Sequence, residues 1–114
     1  MTHEMKLQPE YYNFILNGTK RIEIRLYDEK RQNIKLGDTI KFLKEPELSE
    51  SFNAKVTGLL RYNSFKDMFK DFDISILSDK SMTKEELIKV LEQFYTKEKQ
   101  ERYGVLGIRI ELLD

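Results

Sequence analysis

The chain has 114 residues, of which 39% are apolar and 35% are charged, and its 20 basic residues balance its 20 acidic residues. This length predicts one domain, residues 1–114, with enough apolar residues for a single core. The balanced charge excludes a generally basic surface, so any recognition of nucleic acid would depend on a local group of cations.

The chain has no cysteine and a single histidine, His3. Disulfides, thiolate nucleophiles and cysteine zinc sites are therefore excluded, and an ordinary catalytic zinc centre would lack nitrogen ligands. We expect no metal and no cofactor. No apolar run approaches the ~20 residues of a membrane helix, and the first ten residues have no apolar stretch of signal-peptide type. These features predict a cytoplasmic protein without membrane contact, and a monomer is the default expectation.

The first half of the chain predicts strands around one helix. A short strand over residues 3–7 precedes a helix that has Pro9 in its first turn and Gly18 as its terminator. A strand follows directly after Gly18. Gly37 and Asp38 then form a turn that leads into another strand at residues 39–43.

The strand after Gly18 carries the most informative pattern of the sequence. Its apolar face consists of Ile22, Ile24 and Leu26, and its opposite face consists of Arg21, Glu23, Arg25 and Tyr27. Glu23 and Arg25 are therefore neighbours on one face, and Lys20 stands at the entrance of the strand. We interpret this segment as a polar site at the edge of the sheet.

The second half predicts a long strand, two helices and a final strand. The long strand has Gly58 at a bulge or close contact, and Ser64 caps a short helix that begins at Phe65. Thr83 and Glu86 form a capping box for the next helix. The charged segment 96–102 is interpreted as a solvated helix end. Arg102 and Tyr103 are placed at the start of the last strand, which is expected to have one solvated face.

This irregular order of strands and helices predicts an α+β fold on a curved or barrel-like sheet of about five to six strands. Three motifs sharpen the prediction: Gly18-x-Lys20-x-x-Glu23-x-Arg25, Gly37-Asp38 followed by TIKF, and RYGVLGI near the end. Together they resemble an ASCH domain, a name that stands for activating signal cointegrator homology, of the short single-domain prokaryotic type. The family belongs to the PUA-like superfamily of small β-barrels flanked by helices.

The resemblance implies an RNA-binding module that recognises one or a few nucleotides in a cleft beside the barrel. Lys20, Glu23 and Arg25 would line that cleft, and Gly18 would let the helix and the strand meet closely. Lysine and arginine can pair with phosphate or a base edge, and glutamate can accept from exocyclic amines. Further candidate contacts to RNA, a nucleotide or a nucleoside are Tyr27, Tyr62, Ser64, Phe65, Arg102 and Tyr103.

One branch of the family implies an alternative, a metal-independent hydrolase that removes acetyl from N4-acetylcytidine and has a motif similar to Lys-x-x-Thr-x-Arg. Lys20 and Arg25 match this motif, whereas Glu23 replaces the threonine regarded as the nucleophile, and Lys80 stands near the position of a later acidic residue. Thr19 is a poor substitute because neighbouring strand residues point to opposite faces. A hydrolase for a modified nucleoside or RNA would use Glu23 as general base and Lys20 as electrostatic stabiliser.

Structural explanations of the same residues remain open. Glu23 and Arg25 can form an ion pair in a barrel wall, Lys20 can be solvated, and Ser64 can serve only as a helix cap. Lys20 and Arg25 are polar and expected to be exposed, so their alanine variants should weaken ligand binding with little loss of fold. Leu91→Ala should cost ~2–5 kcal/mol as a core truncation. A protein-interaction domain is a third class of function that the balanced charge allows.

Overall fold

The computed structural model describes residues 1–78 and 81–113, and in this part of the chain five strands form one sheet. The strands are β1 (Thr2–Leu7), β2 (Ile22–Leu26), β3 (Thr39–Lys44), β4 (Ser51–Tyr62) and β5 (Val105–Leu112). The helices are α1 (Pro9–Leu16), α2 (Phe65–Phe69), α3 (Ile74–Leu77), α4 (Lys84–Glu92) and α5 (Lys97–Tyr103). A single 3₁₀ turn, Arg31–Asn33, is described between β2 and β3.

The sheet has the order β1-β3-β4-β5-β2, in which β1 runs parallel to β3 and every other pair is antiparallel. It curls into a half-barrel, so β1 and β2 are its two unpaired edges. This confirms the predicted α+β, barrel-like fold of the PUA-like type with flanking helices, at the lower end of the expected strand number.

Both faces of the sheet are covered, and each face has its own core. One core joins α1 to the sheet and includes Ile15, Phe42 and Ile108. The other core lies beneath α2, α3 and α4 and includes Ile22, Phe65 and further buried side chains. Since β2 and the first half of β5 lie between these cores, their backbones are buried on both sides, and the expected solvated face of β5 is absent there.

Gly107 shows how closely β5 is covered. A Cβ atom at this position would lie 2.4 Å from the end of the Met68 side chain and 3.2 Å from Ile22. The absence of a side chain therefore lets α2 approach the sheet directly.

Local sequence signals placed several elements correctly. Gly18 has a φ of +85° directly after α1, and this backbone conformation favours glycine. The space around its Cβ position is open, so the expected close approach of helix and strand is not the reason for glycine here. In the capping box of α4, the Glu86 N–H donates to Thr83 Oγ1 at 3.1 Å and the Thr83 N–H donates to Glu86 Oε1 at 3.0 Å. The β4 register shifts between Val56 and Gly58, as a bulge requires.

The end of the chain differs from the prediction. The charged segment forms a separate helix, α5, because Thr96 caps it by accepting from the Lys99 N–H. Arg102 and Tyr103 therefore end a helix, and the last strand begins at Val105. Among residues 1–78 and 81–113, no helix is long and apolar enough to cross a membrane.

Candidate functional site

A cleft of about 500 Å³ opens between the unpaired edges β1 and β2, and α4 forms its outer wall. Residues Glu4–Leu7 line one side, and Glu23, Ile24 and Arg25 line the other. Because the half-barrel does not close here, no backbone ladder fills the gap between the two strands. The volume lies within the range of roughly 300–1,000 Å³ that is typical of small-molecule sites.

Lys20 reaches the floor of this cleft from the turn before β2, and only 4% of its surface is exposed. Its Nζ donates to the carbonyl oxygens of Ile22 at 2.7 Å and Leu77 at 2.5 Å, and it lies 3.6 Å from Glu23 Oε1. Burial lowers the pKa of Lys20, and nearby Arg25 adds to this effect while Glu23 opposes it. The expectation of an exposed lysine was therefore wrong.

Glu23 and Arg25 form a buried ion pair beside Lys20. Arg25 Nη1 lies 2.5 Å from Glu23 Oε2, and Arg25 Nη2 donates to the Lys6 carbonyl oxygen at 3.0 Å. The guanidinium thus joins the two sheet edges, and the Tyr95 side chain is a further partner. Burial acts to lower the pKa of Arg25, but Glu23 and Tyr95 outweigh it, so the pKa lies above its ordinary value. Arg25 is 13% exposed, so the expected exposed arginine was also wrong.

The hydrogen bonding of this group, which we call the floor triad (Lys20, Glu23 and Arg25), is incomplete. Glu23 Oε2 is already in contact with Arg25 Nη1 at 2.5 Å, whereas within the described residues Arg25 Nε is a buried atom without a hydrogen-bond partner. Arg31 Nε, at another part of the cleft wall, is in the same state. Buried polar atoms normally have partners, because leaving one unsatisfied costs about 1–3 kcal/mol. Because a carboxylate oxygen can accept more than one hydrogen bond, the triad can offer a ligand the Arg25 Nε donor and a second lone pair of Glu23 Oε2.

The remaining walls combine aromatic and apolar side chains with cations at the rim. Tyr11 lies on one side, with the Lys20 Nζ 5.9 Å from its ring centroid, and Phe94 and Tyr95 lie on the other. Lys30 and Arg31 stand near the opening, and Asp28 pairs with Arg31 at 3.0 Å. In the part of the chain that the structure describes, no three histidine or carboxylate side chains meet as a metal site.

Comparison with family models gives a match to the ASCH domain over residues 5–114. The chain belongs to the ASCH domain family. This family is generally linked to RNA binding. No protein with a curated description matches the chain.

Solved structures agree with this assignment. The crystal structure of hypothetical protein PH0355 is 42% identical, covers 99% of this chain and 100% of its own, and has a TM-score of 0.87. The solution structure of protein PF0455 from Pyrococcus furiosus is 39% identical, covers 100% and 99%, and has a TM-score of 0.80. The ASCH domain from Lactobacillus crispatus, at 14% identity, 97% and 79% coverage and a TM-score of 0.61, shares the fold.

Other residues expected in the site of this ASCH domain lie outside the cleft. Tyr62, Arg102 and Tyr103 line a shallower depression of about 690 Å³ beside the end of helix α5, which we call the α5 depression. The Tyr62 hydroxyl donates to Asp71 at 2.7 Å. Tyr27 lines neither surface and lies under the guanidinium of Arg61.

Ser64 and Phe65 have structural positions. The Ser64 hydroxyl accepts from the Asp67 N–H at 3.1 Å and so caps α2. Phe65 is fully buried and packs against Phe69 and Tyr95, so its ring has no free face for a base, which corrects the expected stacking role. Lys80 lies outside the described residues.

The helical spacing of Leu87, Ile88, Leu91, Phe94 and Tyr95 predicts one core stripe on α4, so sequence reasoning missed Phe94 and Tyr95 as cleft residues. The helix ends at Glu92, so Phe94 leaves the buried face and is 54% exposed at the rim. Leu91 is likewise only partly buried and lines the cleft, whereas Leu87 is 2% exposed and is the true core leucine. Phe94 and Tyr95 stand at i+3 and i+4 from Leu91, positions that can share one helix face, so the sequence pattern gave no signal that Phe94 leaves it.

Proposed function

We propose that this ASCH domain binds RNA by receiving one unpaired nucleotide in the cleft between β1 and β2. The observation that carries the proposal is the buried floor triad, in which Arg25 Nε has no hydrogen-bond partner within the described residues and Glu23 Oε2 contacts the Arg25 guanidinium. A base edge that presents a donor beside an acceptor would pair with both atoms. Base edges carry such adjacent groups, and RNA-binding proteins commonly read them on unpaired nucleotides.

The walls of the cleft suit the flat part of a nucleotide. Tyr11, Phe94 and Tyr95 offer aromatic surface on which a base can stack, and Phe94 is exposed at the rim. Lys6 and Lys30 are exposed near the opening, where they can contact phosphate. This arrangement needs only a few local cations, which agrees with a chain whose formal net charge is 0. The general link of the ASCH family to RNA supports the same function.

Phe94→Ala tests this proposal without disturbing the core. We expect the variant to bind single-stranded RNA pentamers at least about fivefold more weakly than the wild type, because a stacked aromatic ring contributes ~1–3 kcal/mol per base. The matched control is Leu36→Ala, since Leu36 is an apolar side chain that is 66% exposed outside the cleft. Fluorescence anisotropy with labelled RNA gives the affinities, and melting temperatures establish that both variants fold.

If Phe94→Ala and Leu36→Ala bind the RNA pentamers with equal affinity, the cleft does not contribute to RNA binding. If both variants bind as the wild type does, RNA contacts another surface of the protein. If no RNA binds the wild type at all, the proposal fails, and a protein partner becomes the better hypothesis.

A hydrolase is the second candidate, and one observation favours it. The cleft holds a buried carboxylate, Glu23, beside Lys20, and burial lowers the pKa of Lys20. Groups with a perturbed pKa are common in active sites. Two carbonyl oxygens already accept from Lys20 Nζ, which suits an electrostatic stabiliser better than a base. Incubation of the protein with N4-acetylcytidine and RNA, followed by product analysis, tests this candidate. A product that the Glu23→Gln variant does not form would establish it.

A further inference from the structure

Arg61 and Tyr27 form a stacked pair that the cleft does not include. The guanidinium carbon of Arg61 lies 3.9 Å from the centroid of the Tyr27 ring, so the cation lies over the face of the ring. Arg61 is exposed and also lines the α5 depression. One side of the guanidinium is therefore fixed on Tyr27 while the residue remains open to a ligand.

The strand register places this pair next to the cleft. Arg25 pairs with Leu106 on β5, and Leu106 pairs with Arg61 on β4, so the three residues form one row across the sheet. Directly opposite residues of antiparallel strands point to the same face. Tyr27 follows Arg25 by two residues and lies on that face too, about 7 Å further along the chain. Tyr27 is therefore two residues from Arg25 on the same strand face, and Arg61 lies two strands from Arg25 with the buried Leu106 between them.

Gly104 connects Tyr27 to the α5 depression. The Tyr27 N–H donates to the Gly104 carbonyl oxygen at 3.0 Å, so the glycine is the neighbour of Tyr27 across the strands. Gly104 has a φ of +76°, and a Cβ atom there would lie 3.2 Å from the Tyr62 carbonyl oxygen. Gly104 ends α5 and lines the α5 depression, so the bond to its carbonyl oxygen holds the backbone of Tyr27 beside that depression.

The charges of the α5 depression favour stacking over phosphate binding. Arg61 and Arg102 are the arginines of its lining, and the carboxylates of Asp67 and Glu101 offset them. Arg102 also lies on an aromatic ring, 5.2 Å from the centroid of Tyr103. Guanidinium planes held in this way are surfaces on which unpaired bases stack in single-stranded RNA complexes.

We propose that the Arg61–Tyr27 pair and the α5 depression form a second nucleotide site, which stacks the unpaired base next to the one held in the cleft. The inference rests on the proposed function, because the cleft supplies the first nucleotide. It extends the proposed ligand from one nucleotide to a short single strand that reaches from the cleft to the α5 depression.

The experiment compares ligands that can occupy one site or both. The probes are the four ribonucleoside 5′-monophosphates and the four homopolymeric RNA pentamers, titrated into the wild type, Arg61→Ala and Arg61→Lys. Arg109→Ala is the control, because Arg109 is exposed and lines neither the cleft nor the α5 depression. We expect Arg61→Ala to weaken pentamer binding about fivefold or more and to leave monophosphate binding unchanged.

Arg61→Lys separates stacking from charge, since lysine keeps the charge but has no planar group. We expect this variant to bind the pentamers as weakly as Arg61→Ala does. Pentamer binding at the wild-type level in either variant would overturn the second site. If that result accompanies a loss of binding in Phe94→Ala, the cleft proposal stands and only the second site fails. If no probe binds the wild type, both proposals fail.

Discussion

At the scale of single residues, burial decides what the floor triad can do. The sequence placed Lys20, Glu23 and Arg25 together correctly, because the two-residue period of a strand fixes which residues are neighbours. It did not reveal that α4 and β1 cover them, since that cover comes from residues distant in sequence. The same limit hid Phe94, whose exposure depends on where α4 ends.

Arg25→Ala should be strongly destabilising, contrary to what the sequence suggested. The substitution leaves the buried carboxylate of Glu23 without its closest cation and removes the bond to the Lys6 carbonyl oxygen. Breaking a buried pair on one side costs about 3–5 kcal/mol, whereas the exposed Arg21→Ala should change stability by less than about 0.5 kcal/mol. Urea denaturation measures both free energies of unfolding. Equal stability of the two variants would mean that the Arg25 guanidinium is not bound in solution.

At the scale of elements, strong caps and turn signals predicted boundaries well, and weak ones did not. The capping box at Thr83 and the glycine at position 18 locate α4 and the end of α1 without tertiary information. The helix α3 has only four residues and was not predicted, because so short a helix depends on its contacts with β2. The division between α4 and α5 was missed because their charged sequence has no glycine or proline to mark it.

The start of β1 is tied to the turn before β3 by the Asp38 carboxylate. Asp38 Oδ2 lies 2.8 Å from His3 Nε2 and accepts from the Lys35 N–H at 3.0 Å, and these bonds hold the pKa of Asp38 below its ordinary value. A carboxyl whose pKa is lower in the folded state stabilises the fold above its unfolded-state pKa. That contribution disappears as the pH falls through the folded-state pKa.

Asp38→Asn should therefore lower the melting temperature at pH 7, and the difference from the wild type should shrink below about pH 4. Glu47→Gln is the control, because Glu47 is exposed in the loop between β3 and β4. Thermal unfolding at a series of pH values measures both variants. If the melting temperature of Asp38→Asn stays below that of the wild type by the same amount down to the lowest pH, the effect comes from packing and not from charge.

At the scale of the whole molecule, the half-barrel has a protected centre and an open edge. Strand β5 lies between β4 and β2 and is buried on both faces over its first half. Strand β1 has one strand neighbour, β3, and its other edge borders the cleft. The sequence predicted this class of fold from its motifs, but it could not predict which strands stay unpaired, since strand order depends on contacts across the whole chain.

Amide hydrogen exchange should reflect this difference. We expect the backbone amides of Val105–Ile108 to exchange only on global unfolding and those of β1 to exchange faster through local opening. Exchange followed by NMR at single residues distinguishes the two classes. Equal protection of β1 and β5 would show that the open edge is as stable as the centre of the sheet.

The floor of the cleft consists of buried side chains, and its rim consists of exposed ones. This difference in burial determines which residues can change without loss of the fold. Because the β2 residues of the floor are buried, substitutions there should lower stability as well as change the cleft, so few of them can be tolerated. Gln8, Lys30 and Phe94 are exposed and line the cleft, so they can vary with little effect on folding. Descendants of this scaffold, natural or selected from a library, can acquire new ligands by changing the rim around a constant floor.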